Sequence, residues 1–272
     1  MDGSDTPAPR LGEGLSLRRM PAHWMLGRLG KTVMRPGGLG PSQRMIDTLG
    51  IGPDDDVVEM WPGLGRTTTL ALVGQPRSYV GIERGQAEAV RARTALTGPN
   101  QQCTVAPVHR TGLPDHSASV LFGEALLTLE PASRKTQTVA EAARLLRPGG
   151  RYGIHELLLT PEGLSDTDKA DIQTTLTSVL HVGARPLTHS EWRQLLTDGG
   201  FTVRTEETCP LLLLDPRTVL ADEGPAGTAA ILGRALTHPT VLPRLVKIWR
   251  TFHRYRDNLG AITLVAERTD SS

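Results

Sequence analysis

The chain has 272 residues, of which 38% are hydrophobic and 22% are charged, and its formal net charge at pH 7 is +1. This length and composition allow one sizeable core, so we expect one large domain with accessory elements rather than two independent domains. The near-zero net charge argues against a general nucleic-acid binder, and the lack of a signal-peptide pattern and of an apolar run of roughly 18 residues predicts a soluble, cytoplasmic protein.

The beginning of the chain differs in composition from the rest. Residues 1–16 are rich in glycine, proline, serine and aspartate, which predicts a disordered tail. Residues 17–50 predict an N-terminal helical cap, whose first helix runs from Leu17 to Arg35 and is basic. His23 and Trp24 lie in this helix and are candidate substrate contacts, although packing on the surface or in the core is the commoner role for either residue alone.

Short apolar strands and amphipathic helices alternate between residues 51 and 214, which predicts a parallel sheet with helices on both faces. A helical insertion follows at 215–259, and residues 260–268 read as a last strand that joins the sheet as a hairpin partner. We therefore predict an α/β fold: a Rossmann-like doubly wound sheet of about seven strands, mostly parallel with an antiparallel last strand, plus helical lid elements.

The most informative stretch runs from Val57 to Thr68 and reads as a buried strand, a tight glycine turn and the start of a helix. Such a turn lets backbone N–H groups and the positive end of a helix approach a ligand closely. Glu83 ends the next apolar strand, about 20 residues beyond the turn, where a carboxylate can accept hydrogen bonds from ribose hydroxyls. No Gly-Lys-Ser/Thr follows the turn, so a nucleoside triphosphate loop is not predicted, whereas a nicotinamide cofactor stays an alternative.

Five landmarks, in this order and spacing, resemble those of the class I S-adenosylmethionine-dependent methyltransferases. They are Glu59-Met60-Trp61-Pro62-Gly63-Leu64-Gly65, Gly81-Ile82-Glu83, Gly112-Leu113-Pro114-Asp115, Leu146-Arg147-Pro148-Gly149-Gly150-Arg151 and Gly199-Gly200-Phe201. The resemblance covers about Asp54 to Glu206, together with the last strand. It implies a core at 51–214 that binds S-adenosylmethionine and transfers its methyl group to a small-molecule acceptor.

The resemblance also implies a set of cofactor-binding positions. Glu59 would contact the methionine end or order the loop, the loop glycines would let the backbone approach, and Glu83 would bind the ribose. The full set is Glu59, Trp61, Gly63, Gly65, Glu83, Val108, His109 and Glu124. Trp61 stands where the family usually has glycine, and Pro107 stands where it usually has an acidic residue. These departures keep open a protein of this fold that binds S-adenosylmethionine without transferring methyl.

His155 ends the fifth predicted strand, and the carboxyl ends of parallel strands face the ligand crevice. An imidazole there can act as a general base near neutral pH, so we predict His155 as the catalytic residue. A packed structural histidine is the commoner role. No second histidine stands at a metal-ligand spacing from it, so no metal site is predicted.

The last helix of the insertion carries apolar residues at helical spacing and basic residues on another face. Our hypothesis is that this helix and the N-terminal helix form a lid that attracts an anionic substrate, with Arg250 and Arg254 as substrate contacts. A solvated basic face, or a non-catalytic interaction protein that uses the basic lid helices, stays open. We predict no nucleic-acid partner, no stable membrane insertion, and a homodimer as a possible assembly.

Overall fold

A single mixed sheet runs through the part of the chain that the computed structural model describes, which is residue 12 and residues 14–269. Most of the predicted tail at 1–16 lies outside the described residues. The strands, in chain order, are β1 (Asp56–Met60), β2 (Ser78–Glu83), β3 (Gln101–Val105), β4 (Ala118–Glu124), β5 (Leu146–Leu159), β6 (Leu187–Thr188), β7 (Phe201–Pro210) and β8 (Leu259–Arg268).

The strands stand in the order β3-β2-β1-β4-β5-β8-β7, and the short β6 pairs with β5. Strands β1 to β5 are parallel to their neighbours among themselves, whereas β8 is antiparallel to both β5 and β7. This topology confirms the predicted Rossmann-like doubly wound sheet with an antiparallel last strand. The order of the strands reverses between β1 and β4, so the carboxyl ends of these two strands mark the place where such sheets bind ligands.

Helices cover both faces of the sheet. They are α1 (Ala22–Leu29), α2 (Leu39–Leu49), α3 (Arg66–Leu72), α4 (Gln86–Ala92), α5 (Ala132–Leu145), α6 (Asp166–Leu180), α7 (His189–Asp198), α8 (Pro216–Thr237) and α9 (Val241–Arg254). The predicted capping box at the start of α7 is confirmed, because Thr188 and Glu191 bond each other's backbone N–H groups. Within the described residues, no helix is long and apolar enough to cross a membrane.

The first helix is shorter than predicted. The sequence predicts a helix from Leu17 to Arg35, but α1 ends at Leu29, and Gly30 after it takes a left-handed conformation with φ of 98°. Glycine adopts this conformation without steric cost, and it commonly stops a helix at this position. The chain from 31 to 38 therefore crosses the edge of the sheet as an irregular segment before α2 begins.

The helical insertion is bent where α8 contains Gly224 and Pro225. Gly224 has φ of 70°, and Pro225 has no N–H to continue the helix. Glu223 lies at this bend and accepts hydrogen bonds from the N–H of Thr32 at 2.8 Å, the hydroxyl of Thr32 at 2.7 Å and the N–H of Val33 at 3.0 Å. The bend thus holds the insertion against the N-terminal cap.

The cap and the insertion form one layer, which we call the roof and define as residues 20–36 together with α6, α8 and α9. Its members share an apolar cluster that includes Met25, Leu29, Leu176, Ile248 and Phe252. Lys31 is 2% exposed within the roof, and its Nζ lies 3.6 Å from Glu223 Oε1. The roof is therefore packed and ion-paired, and it covers the carboxyl edge of the sheet.

Glu223→Ala should destabilise the protein by about 2–3 kcal/mol, because it removes a charged acceptor from three donors and leaves Lys31 buried without its carboxylate. Urea unfolding would measure the change. Glu206→Ala is the matched control, since Glu206 pairs with Arg193 at the surface and should contribute less than about 1 kcal/mol. Equal losses in the two variants would show that Glu223 does not hold the insertion against the N-terminal cap.

Candidate functional site

A largely apolar cavity lies between the carboxyl edge of the sheet and the roof. Its empty volume is about 1360 Å³, which includes space open to solvent. The sheet side of the wall comes from the glycine loop after β1, the end of β2 and the end of β4, and the roof side comes from α1, α9 and the irregular segment at 31–36. The N-terminal cap and α9, which are far apart in the sequence, therefore face the glycine loop across the same cavity.

The glycine loop turns sharply because three of its residues are left-handed. The φ angles are 58° at Trp61, 63° at Gly63 and 74° at Gly65, and Gly65 is the N-cap of α3. Glu83 faces the loop from the end of β2, and its Oε1 accepts the Gly63 N–H at 2.5 Å. Burial raises the pKa of Glu83 to about 7. The loop and the acidic residue thus meet as their spacing predicts.

Glu59 lies behind the loop rather than in the cavity wall. It is 1% exposed, and its Oε2 accepts hydrogen bonds from the hydroxyls of Thr68 at 2.7 Å and Tyr79 at 2.5 Å. Burial raises the pKa of Glu59 to about 7. These contacts tie β1 to α3 and β2, so of the two roles that the resemblance implied for Glu59, the geometry favours ordering the loop.

A stack of aromatic and cationic side chains closes the cavity beside the loop. The Arg84 guanidinium lies 4.7 Å from the ring centre of Trp61 and 5.4 Å from that of Trp24. Arg84 Nη2 lies 2.9 Å from His23 Nε2, and burial together with the charge of Arg84 lowers the pKa of His23 to about 3. His23 is therefore neutral and accepts this hydrogen bond. Among the described residues, the buried Trp61 indole N–H has no acceptor.

A buried ionic network joins the cap to the end of β4. Glu124 Oε2 accepts from Arg35 Nε at 2.6 Å and from the Thr67 hydroxyl, and Glu124 Oε1 accepts from the Ser42 hydroxyl and lies 3.0 Å from His155 Nδ1. Burial by itself would raise the pKa of Glu124, but the charge of Arg35 and the bond from His155 lower it to about 2. Glu124 is therefore ionised at neutral pH.

His155 lies behind the cavity wall. Its side chain is fully buried, and its Nε2 accepts the Gly37 N–H at 3.4 Å. That contact leaves the proton on Nδ1, where it faces Glu124. Both ring nitrogens thus have protein partners, and the residues that line the cavity do not include His155. His155, the predicted base, thus lies where its ring contacts hold the Glu124 carboxylate and the backbone at Gly37 in position.

Val108 and His109, predicted as cofactor-binding positions, are not among the lining residues. Val108 is packed in the core under the sheet, and His109 contacts Arg134 of α5. The cavity thus meets the glycine loop and the end of β2, but it does not extend to the loop after β3.

The two arginines predicted as substrate contacts also lie elsewhere. Arg250 and Arg254 line a separate shallow groove on the outside of α9. The reason is the helical period: the face of α9 that turns to the cavity carries Ile248 and Phe252. By contrast, His23, Trp24, Trp61, Gly63, Glu83 and Glu124 all line the cavity.

Two site residues were missed by the sequence analysis. Arg84 follows Glu83 directly, and its position beside the acidic residue was an available signal. Arg35 precedes Pro36-Gly37-Gly38 and reads as one of several basic residues in the cap. Its contact with Glu124 joins residues 89 positions apart, and no local pattern indicates it.

Comparisons with known proteins give a domain match and a likeness of fold. Residues 60–154 match the family model of the methyltransferase domain. An uncharacterised protein of Haemophilus influenzae is 26% identical over 251 residues, which cover 90% of this chain and 97% of that protein.

Two solved structures illustrate the similarity of fold. A provisional sarcosine dimethylglycine methyltransferase from Galdieria sulphuraria has a TM-score of 0.70 at 13% identity, over 92% of this chain and 98% of that one. Geranyl diphosphate C-methyltransferase from Streptomyces coelicolor has a TM-score of 0.61 at 15% identity, over 84% of this chain and 78% of that one. The domain match and the fold together confirm the resemblance to class I S-adenosylmethionine-dependent methyltransferases.

Arg35→Met should destabilise the protein by about 3–5 kcal/mol, because it leaves the buried Glu124 carboxylate without its cationic partner. Urea unfolding of the purified variant would measure the loss. The double variant Arg35→Met/Glu124→Gln should lose less than Arg35→Met alone, since no uncompensated charge is left inside. An equal or larger loss in the double variant would show that the charge of Glu124 is not the cause.

Proposed function

We propose that this protein is an S-adenosylmethionine-dependent methyltransferase that acts on a small molecule. The observation that carries the proposal is the junction of the glycine loop with a roofed cavity. Glu83 and Gly63 hold the loop at one end, and the remaining space extends beneath α1 and α9. A methyltransferase needs this combination, because the methyl donor and the acceptor must lie side by side away from water.

The loop side of the cavity suits the cofactor. A side chain added at Gly63 would meet nothing closer than the Trp61 carbonyl oxygen at 3.8 Å, so the backbone there is open to a ligand. The Glu83 carboxylate lines the same space and can accept hydrogen bonds from the ribose hydroxyls. The buried Trp61 indole N–H adds a donor that has no acceptor within the described part of the chain. Glu83, Gly63 and Trp61 would therefore hold the cofactor.

Few residues of the wall suit the adenine ring of the proposed cofactor. Pro107 has no N–H and is exposed, while Val108 and His109 do not line the cavity. Arg84, which lies between Trp24 and Trp61, presents a planar cation at the end of β2 instead. Since the two indoles cover the faces of this guanidinium, we propose that Arg84 meets the adenine through the N–H donors at the edge of its plane.

Bound S-adenosylmethionine supplies an activated methyl group, and the protein has to align it with the acceptor and exclude water. The roof serves the second purpose, because Phe252 and Ile248 close the cavity opposite the loop. A base is required only for an acceptor that must lose a proton. That role for His155 stays a prediction, and the hydrogen bonds to Gly37 and Glu124 favour a positioning role.

The charges of the wall do not favour an anionic acceptor. Of the residues that the structure describes, three arginines and three carboxylate residues line the cavity. The arginines are Arg35, Arg66 and Arg84, and the carboxylates are Glu83, Glu88 and Glu124. Since Arg250 and Arg254 of α9 lie in another groove, the described residues that line the cavity carry no excess of positive charge.

A protein of this fold that binds S-adenosylmethionine without transferring methyl is the second candidate. The observation that favours it is the stack of Trp61 on Arg84, which fills space beside the loop. Mass spectrometry of cofactor retained on the purified protein, followed by detection of S-adenosylhomocysteine release with candidate acceptors, separates the two. Retained cofactor without any release supports the second candidate, and a protein that binds neither cofactor nor product contradicts both.

The affinity for S-adenosylhomocysteine should rise with pH through about 7, because the ionised Glu83 carboxylate accepts the ribose hydroxyls and its pKa in the free protein is about 7. Between pH 6 and pH 8 the ionised fraction grows about tenfold, and the affinity should grow by a similar factor. Isothermal titration calorimetry would measure it. Glu83→Gln should bind more weakly and lose this pH dependence, whereas an unaltered titration would count against the site.

A further inference from the structure

We propose that the acceptor is a neutral, predominantly apolar molecule that lies between the roof and the end of β5. This inference rests on the proposed methyltransferase function and names the class of its substrate. Away from the glycine loop, the cavity is lined by aliphatic and aromatic side chains from the roof, from the end of β5 and from the chain before α8. They include Leu26, Val33, Leu157, Leu213, Ile248 and Phe252. Apolar pockets of this kind bind ligands mainly through removal of apolar surface from water.

The polar side chains at this end of the cavity already have protein partners. The Thr32 hydroxyl donates to Glu223 at 2.7 Å, and the Thr128 hydroxyl accepts the Leu157 N–H at 3.2 Å. Arg35 is paired with Glu124 at 2.6 Å. His23 is neutral, since burial and Arg84 lower its pKa to about 3. A charged acceptor would thus find no unpaired opposite charge among the described residues on the roof side.

The remaining charged groups lie at the other end of the cavity, around the glycine loop. Glu83 is bonded to Gly63, and Arg84 lies between two indoles. Glu88 lies in the first turn of α4, and Arg66 is the first residue of α3, directly after the glycine loop. The proposed cofactor, which carries its own charges, occupies this end. The acceptor is left with the apolar end, where a buried ion would lose its hydration without compensation.

Hydrogen bonds hold the turn after β4, which forms part of the wall at the apolar end. Glu156 accepts the N–H groups of Leu126 at 3.0 Å, Leu127 at 2.8 Å and Thr128 at 2.9 Å. Thr128 and Leu129 then line the cavity from this hydrogen-bonded turn. The apolar end therefore has a fixed shape, which is what discrimination between acceptors of similar polarity requires.

Two fluorescent probes with the same aromatic rings test the proposal. N-phenylnaphthylamine is neutral, and anilinonaphthalene sulfonate carries one negative charge. Titration of the full chain saturated with S-adenosylhomocysteine should show the neutral probe binding at least about tenfold more tightly, because only the sulfonate must be desolvated without a partner. Equal or tighter binding of the sulfonate would overturn the proposal and restore an anionic acceptor.

A variant pair locates the binding. Leu213→Glu places a carboxylate in the apolar wall and should weaken the neutral probe by about tenfold or more, while affinity for S-adenosylhomocysteine by calorimetry stays within about twofold. Leu236→Glu is the control, since Leu236 is 70% exposed on α8 and should leave both affinities unchanged. Equal weakening of the probe in both variants would show that it binds elsewhere and would overturn the proposal.

The two readouts separate this inference from the function on which it rests. Binding of S-adenosylhomocysteine without binding of the neutral probe would overturn the apolar acceptor and leave the methyltransferase proposal standing. Failure to bind S-adenosylhomocysteine would overturn the proposed function itself, and with it the assignment of the apolar end to a methyl acceptor.

Discussion

The buried pair of Arg35 and Glu124 is the interaction on which the site depends. Glu124 ends β4 at the point where the strand order reverses, and Arg35 comes from the segment that covers this edge. Two charges removed from water remain favourable only if each is paired and hydrogen-bonded, and Glu124 meets this condition through Arg35, Ser42, Thr67 and His155. The network therefore fixes the height of the cap above the sheet, and so the depth of the cavity.

A second set of contacts lies at the bend of α8, where Glu223 accepts hydrogen bonds from Thr32 and Val33. The Glu124 network holds the irregular segment at 31–36 to the sheet, and the Glu223 hydrogen bonds hold the same segment to the insertion. Since a roof fastened at both sides cannot slide freely, the cavity has a defined shape without a bound ligand. The Arg84 stack is different, because cation–π contacts at such a site are weaker than buried ion pairs. The wall beside the loop is therefore easier to rearrange than the roof.

The parts of the site that could be predicted from the sequence are those set by local chain geometry. The turn at Gly63 and Gly65 and the carboxylate of Glu83 belong to a strand–turn–helix unit and the next strand, so their spacing determines their meeting. The alternation of strands and helices likewise predicts the parallel part of the sheet. Arg35 could not be found in this way, because its partner is 89 residues away and its own neighbours indicated only a basic helix.

The last helix shows where periodicity stops being informative. Its apolar spacing correctly predicted an amphipathic helix, but the pattern does not say what the packed face covers. We assigned the function to the charged face, with Arg250 and Arg254, whereas the structure puts Ile248 and Phe252 against the cavity. The apolar face of a helix over a crevice is part of the ligand's wall as well as part of the core. The polarity of the ligand therefore follows from the buried residues of such a lid, and its exposed charges carry little information about it.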